Sequence, residues 1–341
     1  MMIGGLVTSY NVSNERAKYK YRIHIRRALK KDDKSIIAAL KYLRDYELFT
    51  SFEDFARFSD ERADKYIKSL FDRNLSLSYI THSITALREF LYWLERQKGY
   101  RNKINYNHID YLNISTNQRR TAKATEYKKS YPYEQILHTI RMMLEATTIQ
   151  RRDKAIISLQ ALCGLRVSEL RTVKIRNLIT EDGNHFIHVN PKDMSVKFAK
   201  TRHAIFMPLP EDITKNVLQW KNYLTQSGFT GKDSLFPQIP SHFNQSNLLE
   251  SGITHNEIRS NTTIRDIFAK AFTAAGYEYL RPHSFRHTIV RVAGKKTPEF
   301  LNAVRQSLGQ SSIDTTCQSY GELSEHEQRT RISNEKLDFG E

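Results

Sequence analysis

Cysteine is scarce in this chain: Cys163 and Cys317 stand far apart, and neither falls in a CxxC pair or a Cys/His cluster with zinc-ligand spacing. Neither a disulfide framework nor a zinc module is expected to organise the fold. Cys163 reads as a small buried hydrophobe. Long apolar runs are missing too. No stretch approaches the roughly 18 residues a spanning helix needs, and the opening Met1-Met2-Ile3-Gly4-Gly5-Leu6 has neither a basic start nor the hydrophobic segment of a secretion signal. A cytoplasmic protein without membrane contact is the expectation. Internal repeats and low-complexity tracts are absent, and acidic charge is in deficit. Asp and Glu number 37 against 53 Lys and Arg, giving a formal charge of +16 and a pI near 9.6. Solubility does not require such an excess, which is the footprint of a polyanion partner, usually nucleic acid.

With 341 residues, 39% hydrophobic and 26% charged, the chain has material for two soluble domains of ordinary size. Between residues 16 and 31 lie Arg16, Lys18, Lys20, Arg22, Arg26, Arg27, Lys30 and Lys31 without an acid, interleaved with Tyr19 and Tyr21. Residues 1–31 are read as a basic N-terminal arm contacting phosphates, with Arg22, Arg26 and Arg27 as DNA contacts. Residues 32–104 are helical in pattern. After Ser76 or Ser78 the series Ile80, Ile84, Leu87, Leu91, Leu94 recurs at steps of three and four, and Gly99 marks the stop. Apolar periodicity fades between 105 and 130, where Arg119, Arg120 and Lys123 suggest a basic linker lying along DNA. Beyond it, a helical region opens at Pro132 and runs through Gln150, and a second covers Asp153 to Leu162 and stops at Gly164. Strands are expected at Phe186–Val189, Met194–Lys200 and Ala204–Leu209. Helices resume from Glu211 and, after a loop from Gly228 to Ile253, from Thr263 to Ala275.

Four pieces of the second half stand out together: Gly164-Leu165-Arg166-Val167-Ser168-Glu169-Leu170; Lys200-Thr201 ahead of Met207-Pro208-Leu209; His283-Ser284-Phe285-Arg286-His287-Thr288; and Leu308-Gly309-Gln310 followed by Tyr320. In this order and at these separations they resemble the tyrosine recombinase (lambda-integrase) family over residues 132–322, with looser similarity of residues 33–100 to that family's core-binding domain. Physical chemistry points the same way. Cutting a phosphodiester without a metal needs cations fixed on the non-bridging oxygens, and arginine's planar fork suits phosphate better than a lysine point charge. Arg166 and Arg286 fit that task, and His283, three before Arg286, shares its helix face.

The resemblance implies a multidomain, mainly α fold: an N-terminal helical core-binding domain (SAM-like) and a mixed α+β catalytic domain over 131–322 with a small antiparallel β-sheet, then a tail at 323–341 that docks on a neighbouring protomer. It implies a site-specific recombinase or integrase in which Tyr320, the only tyrosine between Leu280 and Glu341, forms a 3′-phosphotyrosyl bond. No cofactor, metal or ATP is expected. Arg166, Lys200, His283, Arg286, Gln310 and Tyr320 are the catalytic set, with His283 assisting proton transfer and Glu169 in support, orienting its neighbours. Gln310 replaces the family's usual His or Trp, and its amide donates a hydrogen bond but carries no proton. Lys192, Lys197 and Lys200 compete as general acid. Strand alternation would place Val196, Phe198 and Lys200 on one face, and Lys200 precedes Pro208 at the family's offset. Expected partners are duplex DNA sites, a homotetramer in the synaptic complex, and accessory DNA-bending or directionality factors. The competing readings are a type IB topoisomerase and a catalytically silent DNA-binding regulator on the same fold.

Overall fold

The computed structural model describes residues 10–118, 129–197, 200–244, 247–250 and 252–310, and the chain divides into two compact units, Met1–Ala124 and Thr125–Glu341. No helix among the described residues is long and apolar enough to cross a membrane.

Among its described residues the first unit has helices and no strand: α1 (Val12–Arg27), α2 (Asp33–Phe49), α3 (Asp60–Asp72), α4 (Leu77–Glu95) and a short α5 (Tyr106–Ile109). Polar side chains start the long helices by accepting orphan N–H groups: Asn11 from Ser13 and Asn14, Asp32 from Ser35, Ser59 from Arg62, and Ser76 from Tyr79. The α4 stripe is buried throughout, as its spacing requires, although the helix ends at Glu95, before the Gly99 turn.

Two expectations are corrected by this core. Residues 12–27 are not a free arm but the helix α1, whose Ala17, Tyr21 and Ile25 enter the same core as Leu43, Tyr46, Phe55 and Phe90. Burial of that stripe outweighs the repulsion of its cations, which fan out on the other faces, and Lys18 is itself buried against Glu47 at 2.5 Å. Nor does a linker begin at 105, because Ile109, Leu112 and Ile114 are buried in this core.

The second unit is built around α7 (Thr148–Cys163). Its residues from Ala155 to Cys163 are all buried, as befits a helix packed on every side. It follows α6 (Tyr133–Met142). The chain breaks between them, and Thr147 restarts it with a capping box to Gln150, so the helix expected through Gln150 is in fact two. After Gly164 come α8 (Val167–Thr172) and a three-stranded antiparallel sheet, β1 (Leu178–Glu181), β2 (Asn184–Val189) and β3 (Arg202–Ile205), in that spatial order. Asp182 and Gly183, both at positive φ, close β1 onto β2 as a two-residue hairpin. The remaining elements are α9 (Glu211–Gln226), a two-stranded ribbon of β4 (Ser241–Asn244) and β5 (Asn247–Glu250), α10 (Asn261–Ala274), α11 (Ser284–Gly294) and α12 (Pro298–Leu308).

The strand expected at Met194–Lys200 does not form where it is described. Past Pro191 the N–H groups of Asp193 and Met194 both return to Asn190 O at 3.0 Å, and that of Ser195 goes to the Thr172 hydroxyl at 2.8 Å. Turn and side-chain acceptors have taken the bonds a ladder would need. The partner of β2 therefore begins at Arg202, and it ends early because Met207 N–H turns to Leu162 O at 2.6 Å and Pro208 has none to give.

Candidate active site

Arg166 owes its place to the end of α7. Gly164 adopts φ +54, and a Cβ there would lie 2.8 Å from Ile289 Cδ1 and 3.3 Å from Arg286 Cγ, so both the turn and the close approach of α11 require glycine. The chain then enters α8 with Arg166 at its N-cap and Glu169 in its first turn, fully buried. Glu169 accepts the Arg166 main-chain N–H at 2.9 Å and its Nη1 at 3.0 Å, while Nη2 lies 3.5 Å from Gly309 O. The side chain of Arg166 stays 24% exposed. A cation at a helix N-terminus is disfavoured by the dipole, and Glu169 offsets that cost.

Arg286, on α11, is 2% exposed. Its Nη1 donates to Gly164 O and its Nη2 to Leu308 O, each at 2.6 Å. Those carbonyls belong to the C-terminal ends of α7 and α12, the negative poles of two helices, and so favour a buried cation. Its Nε has no hydrogen-bond partner among the described residues. Burial, and next the nearby Arg166, push its ordinarily very high pKa down, with Glu169 opposing. An anion seated at these two guanidiniums would relieve that penalty.

Two positions were not singled out in the sequence. Arg202 faces inward from β3, its side chain 6% exposed, with Nη1 and Nη2 on the two oxygens of Glu169 at 3.1 and 2.7 Å and Nε on Ser307 O at 3.0 Å. Gln160, buried on α7, donates from Nε2 to Leu165 O and Pro282 O, both at 3.0 Å, which joins the turn bearing Arg166 to the one bearing His283. Inside/outside alternation along β3 is the only sequence signal for Arg202, and Gln160 carries none. Around Glu169, burial raises the carboxyl pKa, but the Arg202 hydrogen bonds and charge, with those of Arg166, bring it below the usual carboxylate range. Three guanidiniums against one carboxylate leave an excess of positive charge, an arrangement able to hold a phosphate.

The remaining expected residues are more dispersed. His283 is exposed at the start of α11, its ring 5.0 Å from that of the buried His287 and perpendicular to it. Lys200 is exposed two residues ahead of Arg202, without a hydrogen bond or ion pair among the described residues. Gln310 follows α12, its main-chain N–H on Arg305 O at 3.1 Å. Tyr320, Arg119, Arg120 and Lys123 lie outside the described residues. Arg22, Arg26 and Arg27 are exposed on α1, and Arg26 is paired with Asp33.

The sequence model of the phage integrase family matches residues 129–327, more than half of the chain. A tyrosine recombinase of Pseudothermotoga lettingae is 23% identical over 308 residues, covering 87% of this chain and 89% of that protein. Among solved structures, the XerH site-specific recombinase in a post-cleavage complex with palindromic difH substrate superposes with a TM-score of 0.65 at 16% identity, over 93% of this chain and 83% of XerH. A lambda integrase tetramer bound to a Holliday junction gives a TM-score of 0.62 at 13% identity, over 92% and 80% of the two chains. At these identities the structural likeness speaks to the fold, which is the mainly helical, small-sheet architecture described above.

Proposed function

The chain belongs to the phage integrase family, and from that premise we propose that it is a site-specific recombinase acting through a covalent bond between DNA and Tyr320. The observation that carries this reading is the pair Arg166 and Arg286, whose guanidiniums are anchored on main-chain carbonyls at the ends of α7 and α12. Such preorganised cations stabilise charge as it builds on the non-bridging oxygens of a phosphodiester. His283, one helical turn before Arg286, assists proton transfer, and the Gln310 amide donates to the phosphate. The Tyr320 phenol loses its proton and its oxygen attacks phosphorus. The bond from phosphorus to the 5′ oxygen breaks, and Lys200 supplies the proton that oxygen takes up. A 3′-phosphotyrosyl ester and a 5′-hydroxyl result. Because the ester keeps the bond energy, a second 5′-hydroxyl can reverse the step on a partner strand without metal or nucleotide.

Strand exchange joins two duplex sites and so calls for four protomers, the number named for lambda integrase on a Holliday junction. Accessory bending or directionality factors act on the same DNA. The exposed Arg22, Arg26 and Arg27 of α1, with Arg119, Arg120 and Lys123, contact its phosphates.

The test offers the full chain a randomised pool of nicked duplexes in the presence of a chelator, and adducts are recovered under denaturing conditions and sequenced. Wild-type protein should yield adducts, and Tyr320→Phe none, with DNA affinity retained. An adduct in the mutant, or loss of wild-type activity on chelation, would overturn the assignment.

A further inference from the structure

Arg202 stands outside the motifs that carry the family resemblance, yet its guanidinium is spent wholly inside the protein, on both oxygens of Glu169 and on Ser307 O. Glu169 is correspondingly saturated. Its two oxygens accept four N–H groups: the main chain and Nη1 of Arg166, and Nη1 and Nη2 of Arg202. A carboxylate offers about four lone-pair sites, so none is left over. If Arg202 were absent, the same buried carboxylate would face Arg166 with two sites empty. The preferred geometry of that pair is the bidentate fork, which would take a second donor from Arg166 and turn its plane toward Glu169. As it stands, Glu169 holds the Arg166 side chain by one bond, Nη2 makes a long 3.5 Å contact with Gly309 O, and the side chain stays 24% exposed, within reach of an anion.

A second consequence is mechanical. Arg202 Nε on Ser307 O at 3.0 Å and Ile205 N on Ser307 Oγ at 2.8 Å fasten β3 to the last turn of α12. Lys200 lies two residues before that strand, and Gln310 begins two residues after Leu308, the last residue of α12. The fastening therefore sets two expected phosphate-facing groups in one frame.

We propose that Arg202 is a positioning residue of the recombination reaction: by saturating Glu169 it leaves Arg166 available to the scissile phosphate, and by gripping Ser307 it fixes the lysine-bearing strand to the turn of Gln310. The inference rests on the recombinase reading of the site. The groups that face Glu169 are Arg166 at the start of α8, Arg202 from β3, Arg286 from α11 and Cys163 from the end of α7.

The experiment uses the full chain and a nicked duplex recovered from the randomised pool, with Arg202→Met, Arg202→Lys and the double variant Arg202→Met/Glu169→Gln. Three quantities are measured: the rate of adduct formation at saturating DNA, the affinity for the same duplex, and the titration of the Glu169 carboxyl carbon by NMR. In Arg202→Met the rate should fall about a hundredfold, the loss typical of a misplaced catalytic group. Affinity should change little, and Glu169 should titrate at higher pH than in the wild type. The double variant should regain about tenfold over Arg202→Met, because removing the carboxylate frees Arg166, a coupling that a merely structural role would not produce. Arg202→Lys, charged but without the fork, should lie between. The double variant also guards against misfolding, since it leaves no buried charge unpaired at this pair. A wild-type rate in Arg202→Met, or a double variant no faster than Arg202→Met, would overturn the proposal. Failure of the wild-type chain to form any adduct would instead overturn the recombinase reading, a different result from an active wild type with an indifferent Arg202.

Discussion

Gly309 lies directly against Arg202: a Cβ built on it would sit 2.7 Å from Arg202 Cδ and 3.0 Å from Arg202 Nε, and its φ of +66 already favours glycine. The Leu308-Gly309-Gln310 motif thus holds its glycine for two separate reasons, closing α12 and admitting a guanidinium beneath the turn. Gly309→Ala should shift Arg202 off Glu169 and Ser307 and cost about 1–3 kcal/mol of stability from backbone strain. Adduct formation should slow by about ten- to a hundredfold through misplacement of the site. Denaturant unfolding and single-turnover cleavage check the two parts, and a variant with wild-type kinetics would show that the turn yields without disturbing Arg202.

The basic residues of α1 divide into two kinds. Lys18 is buried and bonded to Glu47 and Glu15, whereas Arg22 and Arg27 are exposed. Among the described residues, Lys18→Met would leave the buried Glu47 with Arg44 as its one cationic partner, at 4.0 Å. Breaking such a pair from one side should destabilise the first unit by about 3–5 kcal/mol. The slope of log DNA affinity against log salt should not change at temperatures where the variant is folded. Arg22→Ala with Arg27→Ala should do the reverse, with stability nearly unchanged and a slope shallower by about one for each phosphate no longer neutralised. If the double arginine variant keeps the full slope, α1 does not contact DNA.

This division explains where sequence reading succeeded and where it failed. The α4 stripe was legible because Ile80, Ile84, Leu87, Leu91 and Leu94 repeat at helical spacing without interruption. In α1 the same kind of stripe, Ala17, Tyr21 and Ile25, is short and interspersed with cations, so charge masked a core helix. Residues 194–200 misled in the opposite direction. Met194, Val196 and Phe198 alternate like a strand, but pairing depends on who accepts the backbone hydrogen bonds, and Asn190 and Thr172 took them first. The β1 strand was not among the expected ones, although the Asp182-Gly183 dipeptide that closes it onto β2 has the composition a two-residue hairpin turn favours. Arg166 and Arg286 were legible as members of motifs. Arg202, in a chain with 53 Lys and Arg, becomes distinct only when β3, α8 and the end of α12 meet in space.

Glu169 gives the cluster a defined pH dependence. Its pKa in the folded chain is below the ordinary carboxylate value, so its contribution is fully present above the unfolded pKa of roughly 4.3 and is lost as pH falls through the lower, folded value. Glu169→Gln removes that contribution at every pH and leaves the buried Arg202 without its anion, at a cost of about 3–5 kcal/mol near neutrality. The stability gap between wild type and variant should therefore be constant from pH 7 to about 5 and close steadily below about 4. Denaturant unfolding across that range is the measurement. A gap that persists at low pH would mean that Glu169 acts through packing rather than charge.

The identity of the general acid turns on β3. Arg202 and Ala204 face inward on this strand while His203 and Ile205 face outward, so the inward place nearest Glu169 is already filled by Arg202. Lys200 precedes the strand, is exposed, and has no hydrogen bond or ion pair among the described residues, so none of these competes for its ammonium. Lys192 is exposed in the turn after Pro191, and Lys197 is exposed beyond Ser195, whose N–H is tied to Thr172. If Lys200 gives its proton to the departing 5′ oxygen, Lys200→Ala should slow adduct formation by about a hundred- to ten-thousandfold, the usual worth of a positioned acid. A duplex with sulfur in place of that oxygen should restore most of the rate, because a thiolate leaves without a proton. Lys192→Ala and Lys197→Ala should show neither the defect nor the rescue. Sulfur rescue appearing with Lys197 instead would assign the acid to Lys197 and remove Lys200 from that role.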